Sequence, residues 1–167
     1  MRKAIRPEAG IQGNAARYYS YREAWGRIKA AQEQGFFLEV VTIVESIIAD
    51  RLISLLTHVD VLQIQPERQS PSFGRLIQMW ERWLQTVELL EEREQVMALL
   101  QATDTWRQRR NFVVHGIVKM RPQGRDPDIA EFIAEAERTA TEGIRLAKAV
   151  SAWQKKYKRC LEKREKG

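Results

Sequence analysis

The chain is 167 residues long, 44% hydrophobic and 30% charged. This fits one globular domain able to bury a core without disulfide or metal staples, and it excludes a disordered or fibrous chain. Cys160 is the one cysteine, so there is no internal disulfide framework and a reducing cytoplasm is the expected compartment. The formal net charge of +6 is unevenly placed, with +5 in residues 1–30, +5 in residues 151–167 and −4 between them. Basic ends on a mildly acidic centre suit either a polyanion, nucleic acid first, or plain solubility.

The most apolar run begins at Phe36 but is broken by Glu39, Glu45, Asp50 and Arg51, so no membrane span is expected. No apolar segment follows the basic residues at the start of the chain, so a secretory signal is not expected there. There is no internal repeat, and strand-like alternation is nearly absent. The expectation is an all-α, up-and-down bundle of about five helices. It forms a single domain, with a basic segment and first helix over 1–35, the bundle proper over 36–158 and a basic tail over 159–167.

The first helix is expected from about Asn14, a good N-cap, to Gln34, with Gly35 as its stop. The second runs from Phe36 to about His58. Its apolar residues cover most of its circumference and place it mid-bundle. Glu39, Thr42, Ser46 and Asp50 form its polar series, read as a solvent-facing stripe or one wall of a site. His58, beside Asp60, is expected at the exposed end. Residues 59–72, with Pro66 and Pro71, read as a loop. The third helix spans about Ser72 to Leu90, with Phe73, Leu76, Ile77, Trp80, Trp83, Leu84, Val87 and Leu90 in one stripe. The fourth spans about Glu92 to His115, with Gly116 as its stop. Pro122, Gly124 and Pro127 mark a loop, and the fifth starts near Asp126 or Pro127 and runs to about Lys158 or beyond. The tryptophans read as core; Trp106, one turn before Arg110, is the one that invites a stacking role.

The fourth helix carries the oddity. At about 100° per residue, Arg110 falls near the centre of an apolar stripe made by Val96, Leu99, Leu100, Thr103, Trp106, Val113, Val114 and Ile117. A buried arginine persists only if it is paired or serves a site. Asp104, Asn111 and His115 share a second face, with Arg107 between the two. Ordinary readings stand beside this one. Arg107, Arg109 and Arg110 can be a solvated basic run, Asp104 can pair with Arg107 or Gln108 one turn on, and His115 can complement the helix dipole.

Arg110-Asn111-Phe112-Val113-Val114-His115 resembles the signature of the HEPN superfamily. That signature is an arginine and a histidine separated by four to six residues, often with a polar residue directly after the arginine. Gly116 after the histidine also agrees. So do Glu45 to Leu52 in an apolar helix and Ser72 to Ile77 opening another. The resemblance implies an all-α bundle, usually a homodimer with two motifs facing each other. Many members are metal-independent endoribonucleases, among them toxins of toxin–antitoxin systems and effectors of phage defence; others only bind. Position by position it makes Arg110 and His115 catalytic and Asn111 supporting. Glu45, Asp50 and Asp104 have no match in it. It calls for no metal and no other cofactor, and it implies RNA, a second copy and an MNT-type nucleotidyltransferase antitoxin as partners.

The residue types suit that chemistry. Cleavage by the RNA's own 2′-hydroxyl needs a base near neutrality, which histidine supplies, and a cationic fork for phosphate oxygens, which arginine supplies. Asn111 can orient His115 or hold a phosphate oxygen. Arg110 and His115 lie about 140° apart on an ideal helix, so a two-fold dimer is expected to bring one chain's arginine to the other's histidine. Arg107, Lys155, Lys156 and Lys158 are the expected RNA-binding cations. Two histidines and one cysteine, scattered, make no zinc cluster, and no phosphate-loop glycine pattern occurs. The competing classes are a non-catalytic module binding RNA or a protein, and, more remotely, a helix-turn-helix DNA binder, which the apolar residues interrupting the basic segment disfavour.

Overall fold

The computed structural model describes residues 13–63, 70–87, 93–116 and 128–164. Those residues form five helices, α1 (Gly13–Glu33), α2 (Phe37–His58), α3 (Phe73–Thr86), α4 (Arg93–Gly116) and α5 (Ile129–Arg164), and no strand. The all-α five-helix bundle is therefore what the chain builds. The expected loop residues Pro66, Pro122, Gly124 and Pro127 lie outside the described residues.

Local chemistry sets the helix ends. Gly35 adopts φ +75°, the left-handed conformation glycine takes at no side-chain cost. The Gly35 N–H then donates to the Gln32 carbonyl at 3.2 Å and the Phe36 N–H to the Ala31 carbonyl at 2.8 Å, so a Schellman closure ends α1 and turns the chain back into α2. Ser72 caps α3 by accepting from the Arg75 N–H at 3.4 Å. α5 begins two or three residues later than expected because Asp128 caps it, accepting from the Ala130 N–H at 3.0 Å. α5 also continues to Arg164, so Arg159 and Lys163 belong to a helix about 54 Å long and not to a separate tail. α3 ends at Thr86, short of Leu90, with Val87 in extended backbone.

α2 is central: Val40, Val41, Val44, Ile48, Leu52, Leu55 and Leu56 have no exposed surface. Ile28 and Ala31 bring α1 into the same core. Trp80 and Trp83 of α3 meet Trp153 and Tyr157 of α5, with ring centroids 5.2 to 6.5 Å apart. Trp106 is fully buried. Its indole N–H donates to the Thr139 carbonyl at 2.8 Å, and its ring edge packs on Gly143, where a Cβ would come within 2.7 Å. The tryptophan is thus a core strut between α4 and α5, closed to base stacking.

The same contacts give the helix directions. Phe73 touches Trp106 while Trp83 reaches Tyr157, so α3 runs along α5. Arg17 and Tyr21 meet Asp50, Trp25 lies under Lys148, and Ser54 meets Lys158, so α2 also runs along α5, and α1 against both. Up-and-down alternation therefore has one exception, between α2 and α3, which point the same way.

Candidate functional site

Arg110 sits where α4 crosses α2, its side chain 20% exposed. Its Nε makes an ion pair with Glu45 of α2, itself 20% exposed. One Nη donates to the Asn111 Oδ1 at 2.9 Å. The stripe-centre arginine is thus paired, as burial requires. Its partner comes from the other side of the polar series on α2: Glu39, Thr42 and Ser46 face solvent, and Asp50 is taken by α1. Burial pushes the Glu45 carboxyl above its ordinary value, with the Arg110 guanidinium pulling against that shift.

His115 lies in the last turn of α4, exposed, on the opposite flank from the Arg110 guanidinium. Asn111 serves the arginine and not the histidine. Phe112, between them, is 54% exposed. Gly116 abuts the Phe132 ring of α5, so the motif occupies the end of the bundle where α4 finishes and α5 starts.

The other α4 cations have local partners. Arg107 Nε donates to the Asp104 Oδ1 at 2.7 Å, with the Gln108 amide on the other oxygen at 3.2 Å. Asp104 therefore braces its own helix, and Arg107 also lines the Gly74 backbone. Arg109 pairs with Glu142 of α5 at 2.7 Å. The expected RNA-binding lysines lie elsewhere. Lys155 and Lys156 are exposed on α5 beside a shallow groove of about 360 Å³ shared with Arg159, Cys160 and Lys163. Lys158 turns inward and donates to the Ser54 Oγ at 3.0 Å. From Phe132, beside the motif, to Lys155 is roughly 35 Å along the helix. The basic face and the Arg110–His115 motif thus lie toward opposite ends of one chain.

Among the described residues, no three His, Cys, Asp or Glu side chains come together as a metal site, and no helix is long and apolar enough to cross a membrane. His58 is exposed at the end of α2, as expected. Comparison with protein-family models, with curated proteins and with solved structures finds no match.

Proposed function

We propose that the chain is a metal-independent endoribonuclease of the HEPN type, acting through Arg110 and His115. The observation that carries this reading is a half-buried guanidinium, fixed by Glu45 and Asn111, five residues before an exposed histidine at the same helix end. Glu45 and Asn111 occupy the Nε and one Nη, so the remaining N–H groups are those a phosphate would use. In this reading His115 takes the proton of the ribose 2′-hydroxyl, whose oxygen attacks the adjacent phosphorus. Arg110 holds the charge that builds on the phosphate oxygens. The bond to the 5′-oxygen breaks, that oxygen takes a proton from solvent, and the products end in a 2′,3′-cyclic phosphate and a 5′-hydroxyl.

Because Arg110 turns toward α2 and His115 toward solvent, the composite site is proposed to form across a two-fold homodimer. A toxin or defence role, with an MNT-type antitoxin as partner, is the biological setting this reading proposes. The Arg110–Glu45 ion pair also favours a second reading, in which Arg110 is a strut and the chain is a non-catalytic module binding RNA or a protein. Incubation of the purified protein with mixed RNA in excess EDTA separates them. Cleavage leaving cyclic-phosphate ends supports the enzyme; intact RNA, or cleavage that needs added magnesium, rejects it.

A further inference from the structure

A second group of cations lies where α1, α2 and α5 meet, toward the other end of the bundle. Arg51 of α2 lies with its guanidinium carbon 4.0 Å from the centroid of the Tyr21 ring. Its Nε is buried without a hydrogen-bond acceptor among the described residues. No described carboxylate pairs with it. One turn on, at Ser54, the Lys158 ammonium of α5 is held by a neutral hydroxyl. The single carboxylate in the cluster, Asp50, is already committed, one oxygen to Arg17 at 3.2 Å and the other to the Tyr21 hydroxyl at 2.5 Å. Glu162, one turn further along α5, bears on Lys158 electrostatically but makes no ion pair with it among the described residues.

Two half-buried cations without anions are costly to hold together. Lys158 feels this directly. Burial, and then Arg17 and Arg51, push its ammonium below the ordinary lysine value, against the pull of Glu162 and Asp50. An arginine with a locked ring face and no acceptor offers its planar fork to an oxyanion. The surroundings extend the positive charge: Arg145, Lys148, Lys155, Arg159 and Lys163 are exposed at three-, four- and seven-residue spacings, a basic stripe about 27 Å long on one face of α5.

We propose that Arg51 and Lys158, with Arg17 at the rim, form a phosphate-binding site for the backbone of a single-stranded oligonucleotide lying along the basic stripe of α5. The site rests on the reading of the chain as an RNA-acting protein, and places the anchor for the strand far from the bond that is cut. A bound phosphate supplies the anion the cluster lacks, and the exposed stripe adds counterion release.

The test is fluorescence anisotropy with a short, fully 2′-O-methylated oligoribonucleotide, which cannot undergo 2′-hydroxyl attack. Lys158→Gln keeps a donor for Ser54 and should weaken binding about tenfold at roughly 50 mM salt. The slope of log affinity against log salt should become shallower by about 0.7 for each phosphate that the variant no longer neutralises. The double variant Arg51→Gln with Lys158→Gln should bind more weakly still. Asp50→Asn, which removes the competing carboxylate, should bind more tightly. Unchanged affinity and salt slope in folded Lys158→Gln would overturn the site, as would weaker binding by folded Asp50→Asn. Displacement of the oligonucleotide by equimolar inorganic phosphate would also overturn it, by assigning the cluster to the free anion. Since the probe cannot be cleaved, failure of natural RNA to be cut strikes only the nuclease reading, and unchanged binding by Lys158→Gln strikes only this site.

Discussion

At the C-terminal end of α4, Arg107, Arg109 and Arg110 each face a carboxylate, from Asp104, Glu142 and Glu45. At the junction of α1, α2 and α5, Arg51 and Lys158 face a ring and a hydroxyl, and the one carboxylate between them serves Arg17 and Tyr21. The α4 cations are held in place by charge already balanced within the chain, which suits a group that must be aimed before a substrate arrives. The α1–α2–α5 cations carry unbalanced charge, which suits a group that gains by taking up an anion. The proposed function and the proposed phosphate site therefore place orientation and affinity at different ends of the bundle.

The largest expected effect breaks the α4 side. His115→Ala should lower the rate of RNA cleavage by about 10²–10⁴-fold. Its exposed position should leave stability within about 0.5 kcal/mol of the parent. Parallel cleavage assays and thermal melts check both halves, and a large drop in melting temperature would mean that His115 is structural.

Glu45→Ala comes next. It leaves the Arg110 guanidinium half-buried and unpaired, and should cost about 1–3 kcal/mol, less than the 3–5 kcal/mol of a fully buried pair. Glu45→Met with Arg110→Met should recover most of that stability in denaturant titrations while remaining inactive. Recovery of activity in the double variant would remove Arg110 from the chemistry.

Lys158 supplies a smaller effect of opposite sign. Its folded-state value lies below its unfolded one, so between the two the unfolded chain binds more protons. Stability should then rise as pH climbs through the folded value toward 10.5. Chemical denaturation at a series of alkaline pH values should show that rise in the parent and its loss in Lys158→Gln. At neutral pH, Lys158→Gln should melt at or slightly above the parent's temperature, because it relieves repulsion. A rise of equal size in the variant would show that Lys158 is not its source. The smallest effect belongs to Arg109→Ala. Its pair with Glu142 is 53% and 36% exposed, so stability should change by less than about 1 kcal/mol, and less at high salt.

What could be read from the sequence, and what could not, follows the same division. The end of α1 and the start of α3 were legible because their signals are local: Gly35 and Ser72 act within a turn of where they stand. The strain at Arg110 was legible because an apolar stripe is a property of one helix. Its partner was not, since Glu45 is 65 positions away in sequence and reaches Arg110 only through the crossing of α2 and α4. The polar series read on α2 did not include Glu45, and its one member held by another helix, Asp50, meets α1. Arg51 was legible only as a break in the apolar run of α2, since with Asp50 next to it the arginine reads as part of a polar edge until Tyr21 and Lys158 are placed beside it. The basic tail was legible as charge but not as shape; the helix continues into it as far as Arg164, which turns scattered cations into a stripe.

The central claim is that Arg110 and His115 act on one phosphate although one helix aims them apart. Mixing two inactive variants, Arg110→Ala and His115→Ala, under conditions of subunit exchange tests it most directly. If the site is shared across a dimer, half of the dimers are mixed and each of these holds one intact site of two, so cleavage in EDTA should return to about a quarter of the parent's rate. A mixture that stays inactive beside an active parent, or either variant cutting RNA at the parent's rate by itself, would contradict the account.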